Sequence, residues 1–227
     1  MLKKISVLLL LVFFIACSST RNSASKIPGA RVKLTTDSGV IVLRLYNQTP
    51  LHRDNFLKLV KQHYFDSLLF HRVIKNFMIQ GGDPESKNTK PGIMLGNGGP
   101  SYTIPAEFDT SLFHKKGVLA AAREGDNVNP KKASSGSQFY IVQGKKFTDA
   151  GLDSVETFRL KGRKIPLSHR EVYKTIGGAP HLDMNYTVFG EVESGLEVVE
   201  KIASASRDSN NRPLTDIRMK MKIIRKK

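Results

Sequence analysis

The sequence predicts a mostly-β fold: a closed barrel of short antiparallel strands, two helices lying against it, and a helical insertion. Three observations carry that prediction. Short β-rich runs recur with Gly, Pro or Asp between them, two segments place apolar residues at helical spacing, and a charged stretch from Lys145 to Pro180 breaks the β texture. The chain has 227 residues, 40% hydrophobic, which is enough apolar material for one core and one domain.

The N-terminus reads as a targeting segment. Lys3 and Lys4 precede an apolar run from Ile5 to Ala16, too short for a spanning helix, which would need about 20 residues. Residues 1–16 are therefore expected to be a signal peptide. Cys17, the only cysteine, follows Ala16 and resembles the lipobox cysteine of bacterial lipoproteins, although Phe14 stands where Leu is commonest. That resemblance implies lipidation at Cys17, a membrane attachment through it, and a place in the bacterial cell envelope, on the periplasmic face of the outer membrane. A lone cysteine forms no internal disulfide, so the domain must be held by its core. Residues 17–29, Ser-rich and ending in Pro28-Gly29, read as the lipidated N-terminus and a flexible tether.

The domain is expected over 30–227. Arg31 to Thr36 and Val40 to Tyr46 flank Asp37-Ser38-Gly39, a hairpin with a three-residue turn. Thr49-Pro50 is an N-cap and first-turn pair for a helix over roughly 50 to 63, with Phe56, Leu59, Val60, His63 and Tyr64 at helical spacing. Further strands are expected at 68–73, 78–80, 101–104, 118–121, 138–142, 187–192 and 220–224. Ser194-Gly195-Leu196-Glu197 reads as a capping box opening the second flanking helix, and Ser168-His169-Arg170-Glu171 as another inside the insertion, at about 145–179.

One segment is far more specific than the pattern around it. Phe70-His71-Arg72-Val73-Ile74-Lys75-Asn76-Phe77-Met78-Ile79-Gln80-Gly81-Gly82-Asp83 resembles the central cyclophilin motif at every defining position. Leu95 to Pro100, Tyr102 to Phe108, Gly117 to Arg123, Gly136 to Ile141, His181-Leu182-Asp183 and Val188-Phe189-Gly190 continue the likeness in the family's order. The resemblance implies an eight-stranded barrel and peptidyl-prolyl cis-trans isomerase activity that assists the folding of envelope proteins, with proline-containing polypeptides as substrates. It also implies a monomer with no cofactor and no metal.

The chemistry explains the residue types. The X-Pro amide resists rotation with a barrier of roughly 18 to 20 kcal/mol, because nitrogen shares its lone pair with the carbonyl. Twisting frees that lone pair, so a catalyst should donate a hydrogen bond to nitrogen and hold the ring in a dry pocket; no bond breaks and no proton moves. By resemblance, Arg72 is the donor and Gln80 orients it. Phe77, Met78 and Tyr140 form the pocket, Gln138 helps position the peptide, and the backbone of Ala122 and Arg123 receives the substrate as an added strand. His181 stands at the position often held by Trp in eukaryotic members, which implies weaker cyclosporin binding. Leu182 and Tyr186 complete the rim, and His71 reads as a satisfied scaffold histidine.

Other classes fit less well. Gly136-Ser137-Gln138 lacks the nucleophile elbow of a hydrolase, and Gly96 to Gly99 lacks the Lys-Ser/Thr of a phosphate loop. The formal charge of +16 is compatible with nucleic acid, but a secreted protein meets anionic lipid first, and no nucleic acid is expected as partner. The rival from another class is a chaperone or client-binding module on the same fold, with little isomerase activity.

Overall fold

The first two strands form the expected hairpin with a tighter turn. In the computed structural model, which describes residues 29–90 and 92–225, β1 (Arg31–Thr36) and β2 (Gly39–Leu45) enclose only Asp37 and Ser38, and Thr36 pairs directly with Gly39. The Thr36 side chain accepts from Ser38 N–H and donates to Gly39 O, and these two local bonds hold the turn closed. The signal peptide, Cys17 and all but the last residue of the expected tether lie outside the described residues.

Helix α1 (Pro50–Lys61) begins where expected but is not capped by Thr49, whose hydroxyl is buried without a partner among the described residues. Glu107 does that work from far along the chain, its carboxylate accepting from Leu51 N–H and His52 N–H, both at 3.0 Å. A carboxylate at a helix N-terminus meets unpaired N–H groups and the positive end of the helix dipole together.

The remaining strands are β3 (Arg72–Ile74), β4 (Met78–Gly81), β5 (Thr103–Ile104), β6 (Val118–Ala121), β7 (Ser134–Ser135), β8 (Phe139–Val142), β9 (Val188–Ser194) and β10 (Met219–Ile224). Eight of them form one antiparallel sheet in the order β10-β1-β2-β9-β6-β8-β4-β3, while β5 and β7 pair separately. The sheet is an open half-barrel, which corrects the closed barrel expected from sequence. The expected strand from Leu68 reaches sheet geometry only at Arg72, because Ser67 and Leu68 bond to Met219 and Leu69 to Arg218 as a single bridge. The two ends of the sheet meet at that bridge without a ladder.

Among the described residues four α-helices accompany the sheet: α1 and α4 (Leu196–Ala203) flank it, and α2 (Asp149–Phe158) and α3 (Leu167–Thr175) belong to the insertion. Neither expected capping box forms. Ser194 ends β9 and the cap of α4 is Gly195 at φ 91°, while α3 starts after Pro166 with Ser168 already inside the helix. The insertion has its own apolar centre of Leu152, Leu160, Ile165 and Tyr173. Its ends are clipped together by a bridge between Lys145 and Gly178. Gly144 allows that closure, since a Cβ there would stand 2.5 Å from Gly178 Cα.

Period-two alternation sorts the sheet into two faces. Val73, Ile79, Leu119, Phe139 and Ile141 face the main core with Phe56, Phe65 and Phe70. Met78, Val118, Ala120, Tyr140 and Val142 face the other way, into a smaller cluster with Leu182, Phe77 and Tyr186.

Candidate active site

Register places the site residues in one row. Arg72 lies opposite Gln80, Gln80 opposite Tyr140, and Tyr140 opposite Ala120, so four strands present these side chains on one face. Three residues separate Ile74 from Met78 in the β3–β4 hairpin, with Asn76 at φ 64°. Asn and Gly tolerate that conformation better than other residues. The turn lifts Phe77 to the hairpin tip, where its carbonyl accepts from Gln143 N–H and Gly144 N–H, both at 2.9 Å.

A cleft of about 300 Å3 opens over this row. Of the sequence-predicted residues, Arg72, Phe77, Met78, Gln80, Ala122, Arg123, Tyr140, Leu182 and Tyr186 line it. Amide side chains hold the arginine: Arg72 Nη1 donates to Gln80 Oε1 at 3.1 Å, and Gln80 Nε2 donates to Gln138 Oε1 at 3.1 Å. Gln138 Nε2 then donates to the carbonyls of Gly96 and Gly98 at 2.8 and 2.7 Å. Asp83, last in the central motif, grips the same loop by accepting from Gly96 N–H at 2.5 Å. Burial lowers the Arg72 pKa from its ordinary value, against a smaller opposing influence of Tyr186. A half-buried guanidinium with no carboxylate partner among the described residues keeps its donor strength for a ligand.

The pocket floor is tied to the insertion by a chain that sequence reasoning missed. His114 Nε2 lies 2.9 Å from the Tyr140 hydroxyl, His114 Nδ1 lies 3.0 Å from Asp183 Oδ1, and the Tyr173 hydroxyl donates to Asp183 Oδ2 at 2.7 Å. Asp183 also accepts from His114 N–H at 2.8 Å. A carboxylate only accepts, so Nδ1 carries the imidazole proton and Nε2 accepts from Tyr140. Burial raises the Tyr140 and Tyr173 pKa values, Asp183 reinforcing both, so each phenol stays protonated as a donor. His114 carried no motif signal; Asp183 stood inside a quoted motif, but its partner on α3 is visible only in three dimensions.

Three expectations change. His181 does not line the cleft: its ring packs on Phe77 with centroids 5.5 Å apart, because the short 3-10 turn Pro180–Leu182 gives the cleft side to Leu182. Ala122 offers less backbone than an added strand needs, since its N–H donates to Gln138 O and its carbonyl accepts from Ser135 N–H. His71 is not satisfied by protein groups: both ring nitrogens are buried without a hydrogen-bond partner among the described residues. Burial pushes its pKa down to about 4.

A half-barrel with an amide-braced arginine over an apolar cleft defines a cyclophilin-like protein. Residues 31–223 match the family described as cyclophilin type peptidyl-prolyl cis-trans isomerase/CLD. The chain belongs to that family. A Staphylococcus aureus (strain USA300) protein described as a peptidyl-prolyl cis-trans isomerase is 34% identical over 191 residues, 82% of this chain and 87% of that protein. A Streptococcus pyogenes protein described as a bifunctional phosphatase/peptidyl-prolyl cis-trans isomerase is 34% identical over 195 residues, which span 83% of this chain but 37% of that protein. In fold, the chain is similar to a Cryptosporidium parvum cyclophilin type isomerase, with TM-score 0.65 and 24% identity, covering 88% of this chain and 99% of that one.

Proposed function

We infer that this chain catalyses cis-trans isomerisation of X-Pro peptide bonds, working as a monomer because the cleft is complete within one chain. The carrying observation is the Arg72–Gln80–Gln138 chain at the edge of the apolar cleft. The proline ring enters between Phe77, Met78, Tyr140 and Leu182, which removes water from the amide and weakens the resonance that water supports. As the bond twists, the nitrogen lone pair becomes a hydrogen-bond acceptor and Arg72 donates to it. Gln80 and Gln138 hold that donor in place beforehand, so little reorganisation is needed in the transition state. With Ala122 N–H already used, the substrate backbone is received chiefly beside Arg123. A second structure of the Cryptosporidium parvum protein, in the presence of the dipeptide Ala-Pro and with TM-score 0.63, supports this reading by analogy of fold.

The test is a cis-trans assay on a proline tetrapeptide. Removing a single transition-state donor typically costs about 100- to 1,000-fold in rate, and Arg72→Ala should lose activity on that scale. A fully active Arg72→Ala variant would falsify the mechanism. Inactivity of both proteins, with retained binding of unfolded clients, would instead favour the chaperone-type module.

Its place is proposed from the sequence. Lys3, Lys4, the apolar run to Ala16 and Cys17 support a lipoprotein of the bacterial envelope, on the periplasmic face of the outer membrane, that assists folding of envelope proteins. Metabolic palmitate labelling should disappear in Cys17→Ala; labelling that persisted would overturn the anchor.

A further inference from the structure

Beside the proline cleft lies a second depression of about 560 Å3 that the mechanism does not use. Five cations line it, Arg123, Lys132, Arg159, Lys161 and Arg163, against the single carboxylate of Asp126. The segment joining α2 to α3 supplies three of them, and the rim before β7 supplies the others. Both walls are held against the same turn. Arg163 Nη2 donates to Asp183 O at 2.5 Å, Arg123 Nε donates to Asn185 O at 2.7 Å, and Lys132 Nζ donates to Asn185 Oδ1 at 2.5 Å. Leu160, buried in the insertion's own centre, fixes the segment from within.

Most of this charge is not neutralised internally. Arg123 pairs with Asp126 at 2.7 Å, whereas Arg163 and Lys132 bond to neutral oxygens. The exposed side chains of Arg159 and Lys161 make no ion pair or hydrogen bond among the described residues. The field is felt locally: the Asp126 carboxyl is held below its ordinary range by Arg123 first, then by Lys132 and Lys161. Concave walls bearing one sign of charge concentrate oppositely charged ligand groups.

The depression and the proline cleft share Arg123, Leu182 and Tyr186 as a common wall, and the Arg123 guanidinium stacks 4.6 Å above the Tyr186 ring. An extended chain advances about 3.3 to 3.6 Å per residue, so a polypeptide with its proline in the cleft crosses that wall within a few residues. We propose that the basin is a subsite selecting proline-containing polypeptides that carry Asp or Glu beside the proline. The proposal rests on the isomerase reading of the adjoining cleft. Guanidinium groups suit it because they meet carboxylates in planar, two-bond geometry.

The test compares kcat/KM of the full chain on two proline peptides that differ only in flanking Asp-Glu against Asn-Gln, placed in turn on either side of the proline. The acidic peptide should be preferred roughly five- to tenfold at low salt, as two or three part-exposed ion pairs allow, with the preference shrinking as salt rises. In Arg159→Gln/Lys161→Gln, which alters two exposed side chains without partners, the ratio should fall towards one. Equal kcat/KM on both peptides overturns the subsite while leaving the isomerase intact, and inactivity on both overturns the two readings together. Phe158 and Leu167, 79% and 81% exposed, flank the same segment and would suit a bilayer instead. A variant that loses preference for phosphatidylglycerol over phosphatidylcholine vesicles, with its peptide ratio unchanged, overturns the proposal in favour of lipid headgroups.

Discussion

The Tyr140 hydroxyl sits 2.9 Å from His114 Nε2, and both side chains are buried. The pocket aromatic is therefore held by more than packing: its oxygen is the near end of a chain that continues through Asp183 to Tyr173 on α3. An insertion outside the sheet thereby sets the orientation of the ring on which the proline is expected to rest.

Coupling along that chain can be measured directly. Tyr140→Phe leaves His114 Nε2 without its donor and should cost about 1 to 2 kcal/mol of stability; Tyr173→Phe should cost a similar amount. In a double-mutant cycle by urea unfolding, a coupling of about 0.5 kcal/mol or more is expected, although the rings belong to different elements. Strict additivity would show that the chain does not act as a unit.

Gln138 joins Arg72 to the glycine loop, so its loss should reach the arginine without touching it. Gln138→Leu strands the Gly96 and Gly98 carbonyls and removes the acceptor that orients Gln80. The expected result is about a tenfold fall in kcat/KM with a stability loss of about 1 to 3 kcal/mol. Gln80→Leu should match the kinetic loss; wild-type kinetics in both would remove the amides from the mechanism.

His71 makes stability depend on acid. Burial, the largest influence, lowers its pKa from 6.5 to about 4, with Asp83 opposing and Arg72 and Arg212 adding to the shift. The unfolded chain thus binds the proton first, and stability is lost as pH falls from about 6.5 towards 4. The share from His71 is about 3 kcal/mol, and His181, also lowered to about 4, adds in the same direction. Denaturant midpoints against pH should show a shallower acid slope in His71→Phe; an unchanged slope would mean the imidazole is solvated.

Glu156 acts in the same pH direction as His71, although its native deprotonated form is charged where that of His71 is neutral. Lys164 first, then Ile165 N–H and Arg170, hold its carboxyl down at about 2, from 4.5. Its contribution is complete above about 4.5 and disappears as pH falls towards 2. Glu156→Gln should loosen the insertion at neutral pH, seen as faster amide exchange over α2 and α3 with β8 unchanged. Equal protection in both proteins would refute an anchoring role.

Sequence by itself determined most of the strands, and within a strand the alternation of side chains with period two places Arg72, Gln80 and Tyr140 on the face opposite the core-facing Val73, Ile79 and Ile141. The β3–β4 hairpin sets Arg72 opposite Gln80 by local geometry, whereas the pairing of β4 with β8 that adds Tyr140 to the row is a tertiary contact. The motif from Phe70 to Asp83 also carried its own turn, with Asn76 where a left-handed residue is needed.

Tertiary packing decided what depends on partners far along the chain. Glu107 rather than Thr49 caps α1, Gly195 replaces an expected capping box, and Leu182 displaces His181 from the cleft. The sheet stays open because the bonds of Ser67 to Phe70 go to a bridge and not to a ladder. A buried N–H or carboxylate takes whichever partner the fold brings near, and periodicity records burial without recording that choice.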